Sequence, residues 1–256
     1  MQNYFSGFLF IFFILVFSCS NPSKDRCKSC ELSNTDVLDS LENIMRIQKL
    51  DSLEKAAYSG VGLIDVQSIN KDIFVDLKYA GKDNFMKMKL YKKLNKALLQ
   101  KEVAKRLSAC QIYLTKIDAS LHLLVYDAIR PLSVQQKMWD ALDSIPVSAR
   151  VKFVSNPKNG SIHNYGAAVD LTICDQKGHP LDMGAGYDDI REIAYPKLEK
   201  KFLANGELTV DQVENRKLLR KIMASQEFSN IATEWWHFNA CTRAAAKKKY
   251  IIMEYE

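Results

Sequence analysis

Residues 161–174 read SIHNYGAAVDLTIC. The second half, AAVDLTIC, is a run of branched and apolar residues closed by the polar stretch DQKGHP, which reads as a strand followed by a turn. The first half sets a histidine and an aspartate seven residues apart across a glycine. On a straight helix, His163 and Asp170 share a face but lie about 10 Å apart along the axis. On a straight strand they lie farther apart still, at roughly 3.3 Å per residue. If both serve one ion, the chain must turn at Asn164-Tyr165-Gly166 so that Asp170, already on the strand, reaches the place His163 faces.

Outward from this stretch, helices and strands alternate. Upstream, SLHLLVYDA is a nearly continuous apolar strand ended by Pro131, and Ser133 is placed to cap a helix carrying Gln136, Met138 and Trp139. Leu94, Ala97, Ala104, Leu107 and Leu114 recur on one side of a helix expected over residues 93–115. LIDVQSI, DIFVDLKYA and VKFVS read as further strands. Downstream, Thr209 opens a helix running to about Ser225, and the last strand is the aromatic one containing Glu234-Trp235-Trp236-His237. Recurring hairpin-like turns favour one α+β domain over residues 58–256, with a mostly antiparallel sheet flanked by helices, rather than a doubly wound parallel sheet.

The N-terminal part has a different character. The apolar run from Phe8 to Phe17 is too short to cross a bilayer but suits the core of a signal peptide, so residues 1–18 are read as an export signal. Ser18 before Cys19 matches the cleavage and lipidation site of a bacterial lipoprotein signal, although no Lys or Arg precedes the apolar run; a plain anchor and a cleaved signal with an incidental cysteine are the alternatives. The expectation is a membrane-anchored protein of the cell envelope, with residues 19–35 as a tether and residues 36–57 as an amphipathic helix.

The chain has 256 residues, 47% of them hydrophobic and 26% charged, within the globular range. Its net charge of +6 arises from 36 basic and 30 acidic residues that are scattered apart from Lys247-Lys248-Lys249. No nucleic-acid motif accompanies that charge, so no nucleic-acid partner is expected. Of the cysteines, Cys27 and Cys30 form CKSC without a second matching pair and read as a tether disulfide or unpaired thiols, while Cys110 and Cys174 fall at core positions.

The histidines are His122, His163, His179 and His237. His122 between leucines reads as a hydrogen-bonded core residue, and His179 beside Pro180 as exposed. In EWWH, residues i and i+3 of an extended strand point to opposite faces, so Glu234 and His237 can face one site only if the chain bends or bulges. Such a bend would let His237 ligate a metal while Glu234 stands back as general base. Without a metal, Trp235 and Trp236 are simply strand core. Arg130, released at the end of an apolar strand, can stabilise an oxyanion or form a surface pair with Asp127.

Taken in order, VDLKYAGKDNF, DAIRP, SIHNYGAAVDLT, DMGAGYD, ENRKLLRKIM and EWWHF resemble the zinc D-alanyl-D-alanine dipeptidases, over about residues 69–239. The resemblance implies an α+β metallopeptidase fold with one Zn²⁺ per chain held by His163, Asp170 and His237. It further implies Glu234 as catalytic base, Arg130 as transition-state stabiliser, and Ser161 and Asp188 at the substrate's ammonium end. The chain departs from the family pattern at Ile129, where an aromatic residue is common, and at Met86-Lys87, where a glycine is common. The expected activity is hydrolysis of D-Ala-D-Ala or a related small dipeptide. The rivals are a D,D-carboxypeptidase acting on cell-wall peptides and a non-catalytic, zinc-stabilised binding module.

Overall fold

The structure is a computed structural model that describes Ser40, residues 42–46, Gln48 and residues 58–256. The chain divides between Gln48 and Lys49 into two units. In the first, the described residues are helical and exposed, Ile44 and Met45 included. The expected signal over residues 1–18, Cys19, the tether with Cys27 and Cys30, and the rest of the expected helix over 36–57 lie outside the described residues. Among the described residues no helix is long and apolar enough to cross a membrane.

The second unit is built on a five-stranded sheet, β2 (Phe74–Val75), β4 (His122–Asp127), β5 (Ala168–Cys174), β7 (Glu234–Asn239) and β6 (Ser229–Ile231), in that spatial order. Only β2 and β4 run parallel; the other pairs are antiparallel, as hairpin-like turns imply. A separate two-stranded ribbon pairs β1 (Leu63–Asp65) with β3 (Leu98–Gln100). Every residue of β5 is buried, which is why that strand reads as a continuous apolar run interrupted only by Asp170 and Thr172. Helix α2 (Lys101–Ile117) buries Val103, Ala104, Leu107, Cys110 and Leu114 along one stripe. Helix α4 (Val210–Ala224) starts at the reciprocal cap of Thr209 and Gln212 and packs on α2.

Several local expectations change. VKFVS is not a strand: its own backbone closes turns, the N–H groups of Lys152, Phe153 and Val154 donating to the carbonyls of Ala149 and Arg150, with Val151 57% exposed. LIDVQSI breaks after β1 because the Asp65 carboxylate accepts from the Gln67 N–H and caps a short helix, α1 (Val66–Ile69). DIFVDLKYA pairs only at Phe74–Val75 and then tightens into a 3₁₀ turn, Lys78–Ala80. The helix expected from Lys93 begins eight residues later: Leu94 and Ala97 are buried, but in the lead-in to β3.

Ser133 does not cap α3 (Leu132–Asp140). Pro131 holds the cap position, and the N–H groups of Leu132 and Ser133 bond to the carbonyls of Met253 and Glu254 from the C-terminal segment. His122, at the start of β4, is half-buried rather than core; it stacks on Phe74 at 4.7 Å, with Nδ1 2.9 Å from the Asp72 carbonyl. His179 is exposed, and Cys110 and Cys174 are buried free thiols.

Candidate active site

His163 and Asp170 are brought together by a turn. Residues Ile162–Tyr165 form a 3₁₀ helix capped at its start by Ser161 and Asn164 in a reciprocal pair, and ended by Gly166 in the left-handed region at φ 65°. A Cβ at Gly166 would collide with Leu63 Cδ2, so the turn needs glycine both for its dihedral and for its space. The chain then enters β5, whose Asp170 lies opposite His237 of β7.

The bend in EWWH is a large bulge. Asn230 of β6 faces Phe238, but Ile231 faces Glu234, so Trp235, Trp236 and His237 have no counterparts on β6. The carbonyls left without ladder partners are taken by one side chain: Asn230 Nδ2 donates to the Glu234 and His237 carbonyls, at 2.8 Å each. Trp235 and Trp236 are buried against the core, and the Trp235 indole N–H donates to the Ala185 carbonyl at 3.1 Å. Glu234 and His237 therefore both reach one pocket from a single strand. Nothing in the sequence marks Asn230 as the residue that fixes this bulge.

Three potential ligand atoms converge there. His163 Nε2 lies 3.1 Å from His237 Nδ1, His237 Nδ1 lies 2.9 Å from Asp170 Oδ1, and Asp170 Oδ1 lies 3.3 Å from His163 Nε2. Atoms bound tetrahedrally to zinc at about 2.0–2.1 Å are separated by about 3.3–3.4 Å, so this triangle is close to the required size. The far nitrogens are already committed. His163 Nδ1 is 2.7 Å from the Ala128 carbonyl, which can only accept, and His237 Nε2 is 2.9 Å from Asn239 Oδ1. With those nitrogens protonated, two imidazole lone pairs and a carboxylate face each other, an arrangement that requires a shared proton or a cation.

The electrostatics follow from this crowding. Burial opposes charge on His237, but the hydrogen bond and charge of Asp170 prevail and push the imidazole up to about 9. Asp170, though buried, is held well below the usual carboxylate range by His163 and His237. Glu234 has 36% of its side chain facing the open pocket, yet burial by the surrounding walls raises its pKa, helped by the charge of Asp170 and opposed by His237. Asp188 is pushed up to about 8 by burial first and by Asp170 second, with Arg130 opposing. A cation near either carboxylate lowers it again.

Arg130 is not part of a surface pair. Its Nε and Nη2 donate to Asp127 Oδ2 at 3.0 and 2.6 Å, and Asp127 is fully buried. Asp127 also accepts from the Tyr91 hydroxyl, and the guanidinium lies 5.1 Å over the Tyr79 ring. This clamp presents the remaining edge of Arg130 to the pocket. Ser161 lines the same pocket while its Oγ accepts from the His163 N–H at 3.1 Å, and Asp188 accepts from the Tyr79 hydroxyl at 3.1 Å. The pocket, about 200 Å³, is thus lined by His163, Asp170, His237, Glu234, Arg130, Ser161 and Asp188 together. Sequence reading did not identify Tyr79, Tyr187 and Asn239, which support these groups; aromatic and amide side chains carry no distinctive spacing.

The sequence matches the D-ala-D-ala dipeptidase family over residues 59–254. The D-alanyl-D-alanine dipeptidase of Escherichia coli (strain K12) is 33% identical over 180 residues, which is 69% of this chain and 83% of the relative. The enzyme of the same name from Synechocystis sp. is 31% identical over 169 residues, covering 56% of this chain and 68% of that one. Among solved structures, VanYB in complex with D-Alanine-D-Alanine has a TM-score of 0.36 at 15% identity, covering 62% of this chain and 80% of that one. A match that runs through nearly all of the second unit, with relatives at this identity, means that the chain belongs to the D-ala-D-ala dipeptidase family of peptidases.

Proposed function

We propose that the chain is a zinc dipeptidase that hydrolyses D-Ala-D-Ala or a closely related small dipeptide, with one Zn²⁺ held by His163, Asp170 and His237. The observation that carries the reading is the convergence of three acceptor atoms whose neighbouring donors are already committed, beside a carboxylate and an arginine that join no ligand set. A site closed for structure alone would contain a fourth protein ligand, which argues against a non-catalytic binding module.

When bound, the ion supplies Lewis-acid chemistry and lowers the pKa of a water to about 7. Glu234, its proton affinity raised by burial, takes a proton from water and passes it to the departing amine. Arg130, held rigid by Asp127, faces the charge that grows on the carbonyl oxygen. Asp188, with Tyr79 donating to it, and Ser161 receive the substrate's ammonium end. The volume of about 200 Å³ is below the ~300–1,000 Å³ of ordinary drug-sized sites and suits a dipeptide.

A second reading, D,D-carboxypeptidase action on cell-wall peptides, has one observation in its favour. A neighbouring cavity of about 320 Å³ shares Asp188, Glu234 and Trp236 with the first and could take a longer chain. The deciding experiment measures zinc content and kcat/KM on purified protein for D-Ala-D-Ala, its L,L isomer and a wall pentapeptide. One zinc per chain with preference for the free D,D-dipeptide supports the first reading. Release of terminal D-Ala from the pentapeptide with equal or better efficiency overturns it in favour of the second. Export and lipid anchoring through Cys19 complete the proposal, motivated by the N-terminal apolar run.

A further inference from the structure

The two oxygens of Asp170 have different surroundings. Oδ1 faces His237 Nδ1 and His163 Nε2, whereas Oδ2 accepts from the Tyr187 hydroxyl at 3.1 Å. The nearest alternative cation, Arg130 Nη2, stands 3.6 Å from Oδ2 and already donates to Asp127 at 2.6 Å. Among the described residues, Tyr187 is thus the side chain that satisfies Oδ2. Its ring is fixed by aromatic neighbours on three sides, Tyr126 at 5.1 Å, Trp236 at 5.5 Å and Tyr79 at 6.2 Å between centroids. The next residue, Asp188, has φ 61°, so one tight segment directs Tyr187 at Asp170 and Asp188 into the pocket.

From this we infer that Tyr187 is a positioning residue that ties up Oδ2, so that Asp170 meets a metal ion through Oδ1 alone and the fourth ligand position stays open for water and substrate. A carboxylate can bind a cation through one oxygen or two. A catalytic zinc with three protein ligands works because one position remains exchangeable, and a second oxygen from Asp170 would compete for it. Hydrogen bonds behind the ligands orient them and are worth about 10- to 100-fold in metal affinity.

This inference rests on the zinc reading above, and its test separates the two. Tyr187→Phe keeps the ring and removes only the hydroxyl. Zinc affinity of wild type and variant is measured by competition with a chelating dye, and the visible absorption of the Co²⁺-substituted proteins is recorded. Y187F should bind zinc about 10-fold more weakly or worse. Its Co²⁺ bands, recorded where the loaded variant is fully folded, should lose intensity relative to wild type, the signature of an added ligand. An affinity and spectrum identical to wild type would overturn the role of Tyr187 while leaving the zinc site intact. A wild type that binds neither ion would overturn both. If Y187F unfolds markedly earlier but the folded, loaded protein keeps the wild-type spectrum, Tyr187 is structural and the inference fails.

Discussion

Replacing Asp127 with alanine tests how far the active site depends on a buried charge that stands behind Arg130, 3.7 Å from His163 Nδ1. Asp127 is fully buried, accepts two N–H groups from Arg130 and receives the Tyr91 hydroxyl. Its removal leaves the Arg130 cation, 9% exposed, with only Asp170 at 3.6 Å and the Tyr79 ring at 5.1 Å for support. Removing one partner of a buried pair costs about 3–5 kcal/mol. The residual contacts, with a desolvated cation–π contact worth about 2 kcal/mol, place the variant near the lower end, at about 3 kcal/mol. For a body of this size that corresponds to roughly 6–12 °C in Tm. On the role proposed for Arg130 catalysis should fall further, because a guanidinium free to swing is no longer held toward the developing oxyanion; loss of one such donor costs about 10²- to 10³-fold in kcat. The assay is urea unfolding at pH 7 beside kcat on D-Ala-D-Ala for D127A, Asp127→Asn, Arg130→Ala and the double variant. Asn keeps the shape and one acceptor and should fall between wild type and Ala. The double variant should lose less stability than the sum of the singles. A D127A protein within about 1 kcal/mol of wild type with unchanged kcat would refute the reasoning, since a buried unpaired cation is not tolerated so cheaply.

Glu234→Ala should retain about one zinc per chain and lose about 10²- to 10⁴-fold in turnover, whereas His237→Ala should lose the metal, as metal analysis beside kinetics would show. Stability should depend on pH with opposite signs in the two metal states. His237 is raised from about 6.5 unfolded to about 9 folded, so its contribution to the metal-free protein is complete below pH 6.5 and is lost as pH rises through 9. With zinc bound His237 carries no proton on Nδ1, so stability should instead rise with pH up to about the unfolded value of 6.5 and level off above it, which thermal unfolding with and without chelator would detect. If Asp188 receives the ammonium as proposed, N-acetylation of D-Ala-D-Ala should abolish cleavage, and Asp188→Ala should weaken the free dipeptide by about 2–4 kcal/mol in kcat/KM. Cys19→Ala should remove acyl label and membrane fractionation in the native host; recovery of wild type unmodified in the soluble fraction would end the lipoprotein proposal.

Features with local causes are legible along the chain before any tertiary contact forms. The strand through Asp170, the apolar strand ending at Asp127, the Thr209 cap of its helix and the turn at Gly166 follow from periodicity, capping and a dihedral that only glycine adopts easily. The need for a bend within EWWH was equally legible, because strand geometry forbids residues i and i+3 from sharing a face. Tertiary structure decided the rest. Residues 151–155 carry a strand's composition but become turns, because the N–H groups of Lys152, Phe153 and Val154 bond back to the carbonyls of Ala149 and Arg150 rather than to a neighbouring strand. Asp127 and Arg130, three residues apart, read equally as a solvated pair, and only the layers packed over them made the pair a buried clamp. The length of the bulge depends on Asn230, and the triangle of His163, Asp170 and His237 depends on β5 and β7 meeting in one register. Burial and convergence are properties of what distant segments bring together, and a local pattern can require them without specifying which residues supply them.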